Sequence, residues 1–284
     1  MASFYNQATL SYNGNTTTSN ITTGEILEVL SAAKTALRST YDSNEKVTYI
    51  ISIINSGNTA FTGLTITDNL GAETTGAQAV YPLTFVVNSI RYYVNGTLMA
   101  APTVTATSPL TITGINIPAG GNATIIYQAA VNQFAPLDTN SSITNKAVIS
   151  GPGVTNDIEV SETITADNSA RLTISKSLSP TTVTENGQIT YTFIIQNLGN
   201  TAATATDNVA ITDTFTPVLD PISVSFNGKA WTENTNYTYD NQTGAFETVA
   251  GQITVPAATF TKDPTTGAWT VNPGVSTLTV TGTV

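Results

Sequence analysis

The chain repeats itself. "KVTYIISIINSGNTAFTGLTITDNL" (46–70) returns as "QITYTFIIQNLGNTAATATDNVAITDTF" (188–215), with Tyr49 and Tyr191, Asn55 and Asn197, Gly57 and Gly199, and Asn58 and Asn200 all 142 positions apart (191 − 49). Three residues are then inserted, so Asp68 meets Asp213 at a spacing of 145 (213 − 68). A long period of this kind marks a tandem duplication of a whole domain, and 284 residues hold two domains of ordinary size. Whatever one copy folds into, the other must approximate.

Each copy reads as an alternating strand, a turn at Ser56-Gly57-Asn58 or Leu198-Gly199-Asn200, and a second strand closing on Thr-Asp. "PAGGNATIIYQAAV" (118–131) and "PGVSTLTVTGTV" (273–284) match as a late strand after a Pro/Gly turn. Charged residues are only 10 % of the chain against 40 % hydrophobic, and Thr and Asn dominate the polar remainder, a composition that favours half-buried pleated surfaces. The expected fold class is all-β.

The copies differ at their ends. After Val131 the first continues through "ITNKAVISGPG" (143–153), whereas nothing follows Val284, so the second domain is expected to lack its last strand. A segment of the same pattern stands at the front, "FYNQATLSYNG" (4–14), in which Asn6, Ala8 and Leu10 match Asn145, Ala147 and Ile149 at a spacing of 139 (145 − 6). It precedes the first domain much as the internal copy precedes the second, with 28 positions from Asn6 to Lys34 and 31 from Asn145 to Lys176. The boundaries expected are a donor strand and linker over 1–25, a first domain over 26–166 and a second, incomplete domain over 167–284.

These residues carry a family resemblance. The units resemble the bacterial and archaeal surface repeats known as domain of unknown function eleven, whose pattern runs Lys, Tyr in a "TYTI"-like strand, "N-x-G", "T-D" and a closing "N-x-A-x-V". Here these are Lys34, Tyr49, Asn55, Gly57, Asp68, Asn145 and Ala147, then Lys176, Tyr191, Asn197, Gly199 and Asp213 with Asn6 and Ala8. The permutation departs from the usual cell-wall members, and the two-unit layout without cysteine is similar to fibre proteins of clostridial-type spore appendages. The resemblance implies two tandem immunoglobulin-like β-sandwiches with an N-terminal donor strand. It also implies a surface appendage, assembled for a spore former inside the mother cell.

A sandwich without an edge strand exposes unpaired backbone groups and an apolar groove, which a donated strand can fill. Asn6, Ala8, Leu10 and Tyr12 form the expected donor face. Residues 14–26 span at most about 40 Å extended, so donation to the next chain is favoured over self-closure. Repeating the internal junction between chains gives a head-to-tail contact that does not close, hence a filament. The alternatives are a Thr/Asn-rich tail, a fragment of a longer repeat array acting as the stalk or adhesin module of an envelope protein, and self-closure.

Three polar residues share parity with apolar neighbours and are expected to point inward: Lys176 with Leu172, Ile174 and Leu178; Asp213 with Val209, Ile211 and Phe215, as Asp68 with Leu64, Ile66 and Leu70; Asn145 with Ile143, Ala147 and Ile149, as Asn6 with Ala8 and Leu10. Burial disfavours both the ammonium and the carboxylate. A neutral amine beside a carboxamide and an acid is a reactive set whose product is a Lys–Asn isopeptide bond with loss of ammonia. Similar bonds occur in Gram-positive pilins. The expected pairs are Lys34 with Asn145 inside the chain, assisted by Asp68, and Lys176 with Asn6 of the following chain, assisted by Asp213. The alternatives are a hydrogen-bonded cluster that only fixes register and a set of surface residues.

The chain has no Cys and no His, which excludes disulfides, thiolate or imidazole metal sites and His-based triads. No loop carries the calcium-binding Asp/Asn spacing, so neither metal nor cofactor is expected. Nine basic against 19 acidic residues, net −10, argue against nucleic acid, and no apolar run approaches the roughly 20 residues of a membrane span. "MASFYNQATL" has neither a charged n-region nor an apolar h-region, so no export signal is expected. No enzyme constellation acting on an external substrate is visible; self-association is the expected partnership. Trp231, Trp269, Tyr237 and Tyr239 fall in an insertion expected to form an extra exterior hairpin, the rings serving core or hairpin packing, with a carbohydrate platform as the other reading. The Asn15, Asn95 and Asn241 sequons follow from the abundance of Thr.

Overall fold

The computed structural model describes residues 2–284; Met1, at the start of the expected N-terminal segment, lies outside the described residues. The chain divides into two compact units, the first running to Asn132 and resuming over Ile143–Ile164, the second comprising Gln133–Ser142 and Thr165–Val284.

The first unit is an immunoglobulin-like sandwich of antiparallel strands. One sheet has the order β13 (Thr97–Met99), β12 (Arg91–Val94), β16 (Asn122–Val131), β7 (Lys46–Asn55), β5 (Leu30–Ala36), with β11 (Leu83–Phe85) also on β16. The other runs β14 (Thr103–Thr107), β15 (Leu110–Ile117), β8 (Phe61–Asp68), β17 (Ser142–Ser150), β18 (Ile158–Ala166), β6 (Thr40–Tyr41). A small hairpin, β9 (Glu73–Thr75) with β10 (Gln78–Val80), accompanies them. Alternation fixes the core: Val47, Tyr49, Ile51 and Ile53 of β7 are buried while their neighbours face outward, and Ala123, Ile125, Tyr127 and Ala129 do the same on β16.

The second unit repeats one sheet closely, in the order β19 (Leu172–Ser179), β20 (Gln188–Asn197), β28 (Gly274–Thr283), β22 (Ile222–Phe226), β23 (Lys229–Ala230). Its other sheet is reduced to β21 (Thr212–Thr214), β25 (Ala245–Thr248) and β24 (Tyr237–Tyr239), beside a hairpin of β26 (Thr259–Lys262) and β27 (Trp269–Asn272). The strand expected to close on Asp213 is therefore only three residues long. Part of its length is a 3-10 turn over Ala205–Asp207, held by Asp207 Oδ2 accepting from Thr204 N at 2.7 Å. In the first unit the corresponding β8 is paired on both sides, by β15 and β17, whereas β21 pairs only with β25.

Of the four aromatic residues of the insertion, Trp269 lies on a hairpin, β27 with β26, whereas the other three pack inward. Tyr237 is buried, its ring 5.5 Å from that of Phe246; Phe215 stands 5.6 Å from Phe246 and 6.2 Å from Tyr239; Trp231 stacks on Phe226 at 5.0 Å. A short second sheet has few aliphatic positions, and these rings fill its core.

The N-terminal segment also departs from the expected strand and linker. β1 (Ala2–Asn6) pairs with β4 (Thr22–Ile26), and β2 (Thr9–Tyr12) with β3 (Asn15–Thr18), so the former linker is the second arm of a hairpin. Asn13 and Gly14 make the turn with φ of 46° and 79°, the left-handed pair that matches strand twist in two-residue loops.

Candidate functional site: a closed and an open Lys–Asp pair

In the first unit β5, β8 and β17 converge on one buried cluster. Lys34 lies on β5 opposite Ile51, and Asp68 ends β8 with Ala147 of β17 as its cross-strand partner. Two residues before Ala147, on the same face, comes Asn145. Lys34 Nζ donates to Asp68 Oδ2 at 2.6 Å, and both side chains are fully buried. Tyr127 Oη donates to the same oxygen at 2.5 Å and accepts from Asn145 Nδ2 at 3.2 Å. The other carboxylate oxygen, Oδ1, takes the backbone N–H of Leu70 at 2.9 Å. Lys34 Nζ also sits 5.0 Å from the centre of the Tyr49 ring.

Asp68 and Asn145, which sequence parity pointed inward, and Lys34, which the repeat matched to Lys176, are thus brought together, with Lys34 and Tyr127 sharing one carboxylate oxygen and Asn145 joined to it through the Tyr127 hydroxyl. Burial holds the Lys34 amine below the usual lysine range, against the opposing pull of Asp68 and, further off, Glu162. Burial together with the Asp68 charge pushes the Tyr127 hydroxyl well up, so it stays a proton donor. Asn145 Oδ1 is buried without a hydrogen-bond partner, the costly condition for a carboxamide in a dry site. The site thus holds the three groups of an amide-forming set: an amine whose pKa burial lowers, an acid within hydrogen-bond reach of it and a carboxamide tied to that acid through one hydroxyl.

The second unit holds the same pair in the open. Lys176 Nζ donates to Asp213 Oδ2, and three rings surround it, Tyr191 at 4.3 Å, Phe215 at 5.3 Å and Phe193 at 5.4 Å. The sequence expectation of full burial fails here: the side chains are 39 % and 19 % exposed. The reason is local. Among the described residues no strand lies on the free edge of β21, where β17 covers β8 in the first unit. Leu172 and Ile174, sharing the Lys176 face of β19, are exposed as well.

Asn6, Ala8, Leu10 and Tyr12 all lie exposed on the N-terminal hairpin. Asn6 pairs there with Thr22, whose hydroxyl donates to its carbonyl at 3.2 Å.

No family model and no curated protein matches the chain. Solved surface proteins do. Over 86 % of its length it is similar to the pilus backbone protein RrgB of Streptococcus pneumoniae, with 11 % identity and a TM-score of 0.35, and it spans only 55 % of that chain. Over 95 % it is similar to BcpA, the major pilin subunit of Bacillus cereus, covering 73 % of it with 12 % identity and a TM-score of 0.36. Half of the chain is similar to the collagen-binding domain of a Staphylococcus aureus adhesin, covering 99 % of it with 12 % identity and a TM-score of 0.31.

Two members of the closed cluster escaped sequence reasoning. Tyr127 shares the inward parity of Ile125 and Ala129, but its partner across β7 is Tyr49, while Tyr191 in the second unit faces Val280. The repeat comparison therefore gave no matching tyrosine to notice. Glu162 was masked by lying on the return arm of the β17–β18 hairpin: the Thr144 and Thr163 hydroxyls, 2.8 Å apart, set that pairing and bring Glu162 beside Asn145.

Proposed function

We propose that the chain is a structural fibre subunit that polymerises head to tail, its N-terminal segment completing the second unit of a neighbouring copy. One contrast carries the reading: β8, whose Asp68 pairs with Lys34 of β5, is covered by β17 and its Asn145, whereas among the described residues the second edge of β21, whose Asp213 pairs with Lys176 of β19, carries no strand, and a segment of β17's pattern, with Asn6, stands exposed on the same chain. An unpaired edge and an apolar face are a liability that a second copy relieves. Because donor and acceptor are different surfaces, the contact propagates instead of closing.

Docking brings Asn6 to the Lys176–Asp213 pair and permits the covalent step. Asp213 takes the proton of the Lys176 ammonium; the free amine attacks Cγ of Asn6, forming the C–N bond of the isopeptide. The Cγ–Nδ2 bond breaks as Asp213 returns that proton to the departing nitrogen, the attacking nitrogen gives its surplus proton to the regenerated Asp213 carboxylate, and the released ammonia carries this proton off as ammonium. Lys34 and Asn145 join by the same balance within the chain, with Asp68 as the acid. The fibre is then riveted at every junction without cysteine. An appendage on the outer surface of a cell or spore is the setting that the family resemblance suggests.

The test is assembly of the purified chain, followed by boiling in detergent, gel electrophoresis and peptide mass spectrometry. A ladder in the parent chain that Asn6→Ala abolishes, with a Lys176–Asn6 peptide lacking one ammonia, is the expected result. A chain that stays monomeric at every concentration overturns the fibre reading and leaves a stalk module.

A further inference from the structure

Donor-strand exchange usually means one extended strand. Here the structure points to a larger donated element. In the first unit β17 does not enter alone: β18 pairs along its outer edge and in turn pairs with β6, so a whole hairpin closes the sandwich. Its inward residues Ile143, Asn145, Ala147 and Ile149 on one arm and Ile164 and Ala166 on the other are all buried. The N-terminal segment has the same construction. Tyr5 pairs with Thr23 where Thr144 meets Thr163, so Phe4 and Gly24 take the places of Ile143 and Ile164, and Ile26 that of Ala166.

A Cβ at Gly24 would collide with the Phe4 ring, so one large side chain lies across both arms where the first unit has two facing isoleucines. Yet Phe4 is 54 % and Leu10 62 % exposed, where Ile143 and Ile149 are essentially inaccessible. This is a core face with nothing on it.

The acceptor also lacks two strands' worth of cover. Tyr41 on β6, the strand that receives β18, is fully buried. Its equivalent, 142 positions on, is Val183, and the matching turn residues Asn44 and Asn186 share left-handed φ values of 60° and 58°. Val183 lies in no strand and is 37 % exposed.

Resting on the fibre reading above, we infer that the donated element is the preformed hairpin of residues 2–26 of a second copy, docking as a unit between β21 and the Val183 edge. The internal register gives the external one. Ala147, Val148, Ile149 and Ser150 face Asp68, Thr67, Ile66 and Thr65, so Ala8, Thr9, Leu10 and Ser11 face Asp213, Thr212, Ile211 and Ala210. The return arm then induces at Thr182–Val183 the short strand that β6 forms in the first unit. Because the hairpin is already folded, little ordering accompanies docking beyond the rigid-body loss. One difference follows: the position beside Asn145 is Glu162, while that beside Asn6 is the uncharged Thr22.

Two variants of the full chain test this, and the natural absence of cysteine keeps both clean. Tyr5→Cys with Thr23→Cys staples the hairpin shut by a disulfide. Thr9→Cys with Thr212→Cys reports register, since a disulfide joining them between chains gives a ladder and one within a chain does not. Assembly is followed by electron microscopy, and the disulfides by non-reducing gels on an Asn6→Ala background that removes the isopeptide. The proposal expects stapled chains to form filaments as the parent does, and the Thr9/Thr212 pair to give a reducible ladder. Filaments from the parent with none from the stapled variant, or a ladder lost at this pair and gained with Thr9→Cys against a neighbouring position, overturn the hairpin or its register while leaving strand donation intact. No filaments from the parent overturn both.

Discussion

The two Lys–Asp pairs make a controlled experiment on burial within one molecule. Asp68→Ala and Asp213→Ala remove the same group from equivalent positions, and an Asn145→Ala background keeps any isopeptide bond out of the comparison. Asp68 lies with Lys34 in a fully buried site, where stranding one member of an ion pair costs about 3–5 kcal/mol. The Tyr127 hydroxyl and the Leu70 N–H lose their acceptor too, a further cost of about 1 kcal/mol or more. Lys176 and Asp213 are half in water, where such pairs contribute about 0–1 kcal/mol. The expected difference is about 4 kcal/mol, and at a urea slope near 2 kcal/mol/M this displaces the first unit's midpoint by roughly 2 M. Both tryptophans, Trp231 and Trp269, belong to the second unit, so their fluorescence follows that unit while far-ultraviolet dichroism follows both. Measured at concentrations too low for assembly, equal shifts for the two substitutions would falsify the claim that the missing hairpin is what separates the sites.

Other outcomes follow from the same geometry. The folded parent chain is expected to weigh one ammonia less than its sequence, and Asn145→Ala or Asp68→Ala to restore the full mass in intact mass spectrometry; the crosslink closes a loop of roughly 110 residues and adds about 5 kcal/mol to the first unit on the chain-entropy model. In the Asn145→Ala chain, urea titrations should find the first unit gaining stability as pH rises from the lowered folded pKa of Lys34 towards 10.5, because in that window the unfolded lysine binds a proton that the folded one does not. A downward slope there would contradict a lowered Lys34 pKa. Tyr127→Phe should cost about 1–3 kcal/mol and slow appearance of the crosslinked mass after refolding, since Asn145 loses its link to Asp68. Removal of residues 2–26 should leave sedimenting monomers; filaments from that chain would exclude N-terminal donation.

Much of this was written in the local pattern. Period-2 alternation in "KVTYIISIIN" and its copy dictated strands, and the spacing of 142 dictated two related sandwiches, because strand parity depends only on neighbours along the chain. Parity likewise aimed Asp68 and Asn145 into one core, and the repeat added Lys34 as the counterpart of Lys176. The Asn13-Gly14 hairpin was available in the sequence as a turn signal, but its meaning depended on which strand the return arm would meet. Tyr127 and Glu162 reach the cluster from strands distant in sequence, and nothing in their own surroundings announces it.

Sequence alone thus determined the strand content, the duplication and the residue types that meet in each unit, all of which follow from local alternation and from internal repetition. Tertiary structure alone decided that one Lys–Asp pair is dry and the other wet. That difference lies in no property of Lys176 or Asp213 themselves; it is set by whether a hairpin from elsewhere in the chain covers the sheet edge, since burial is a relation between segments that no single segment encodes.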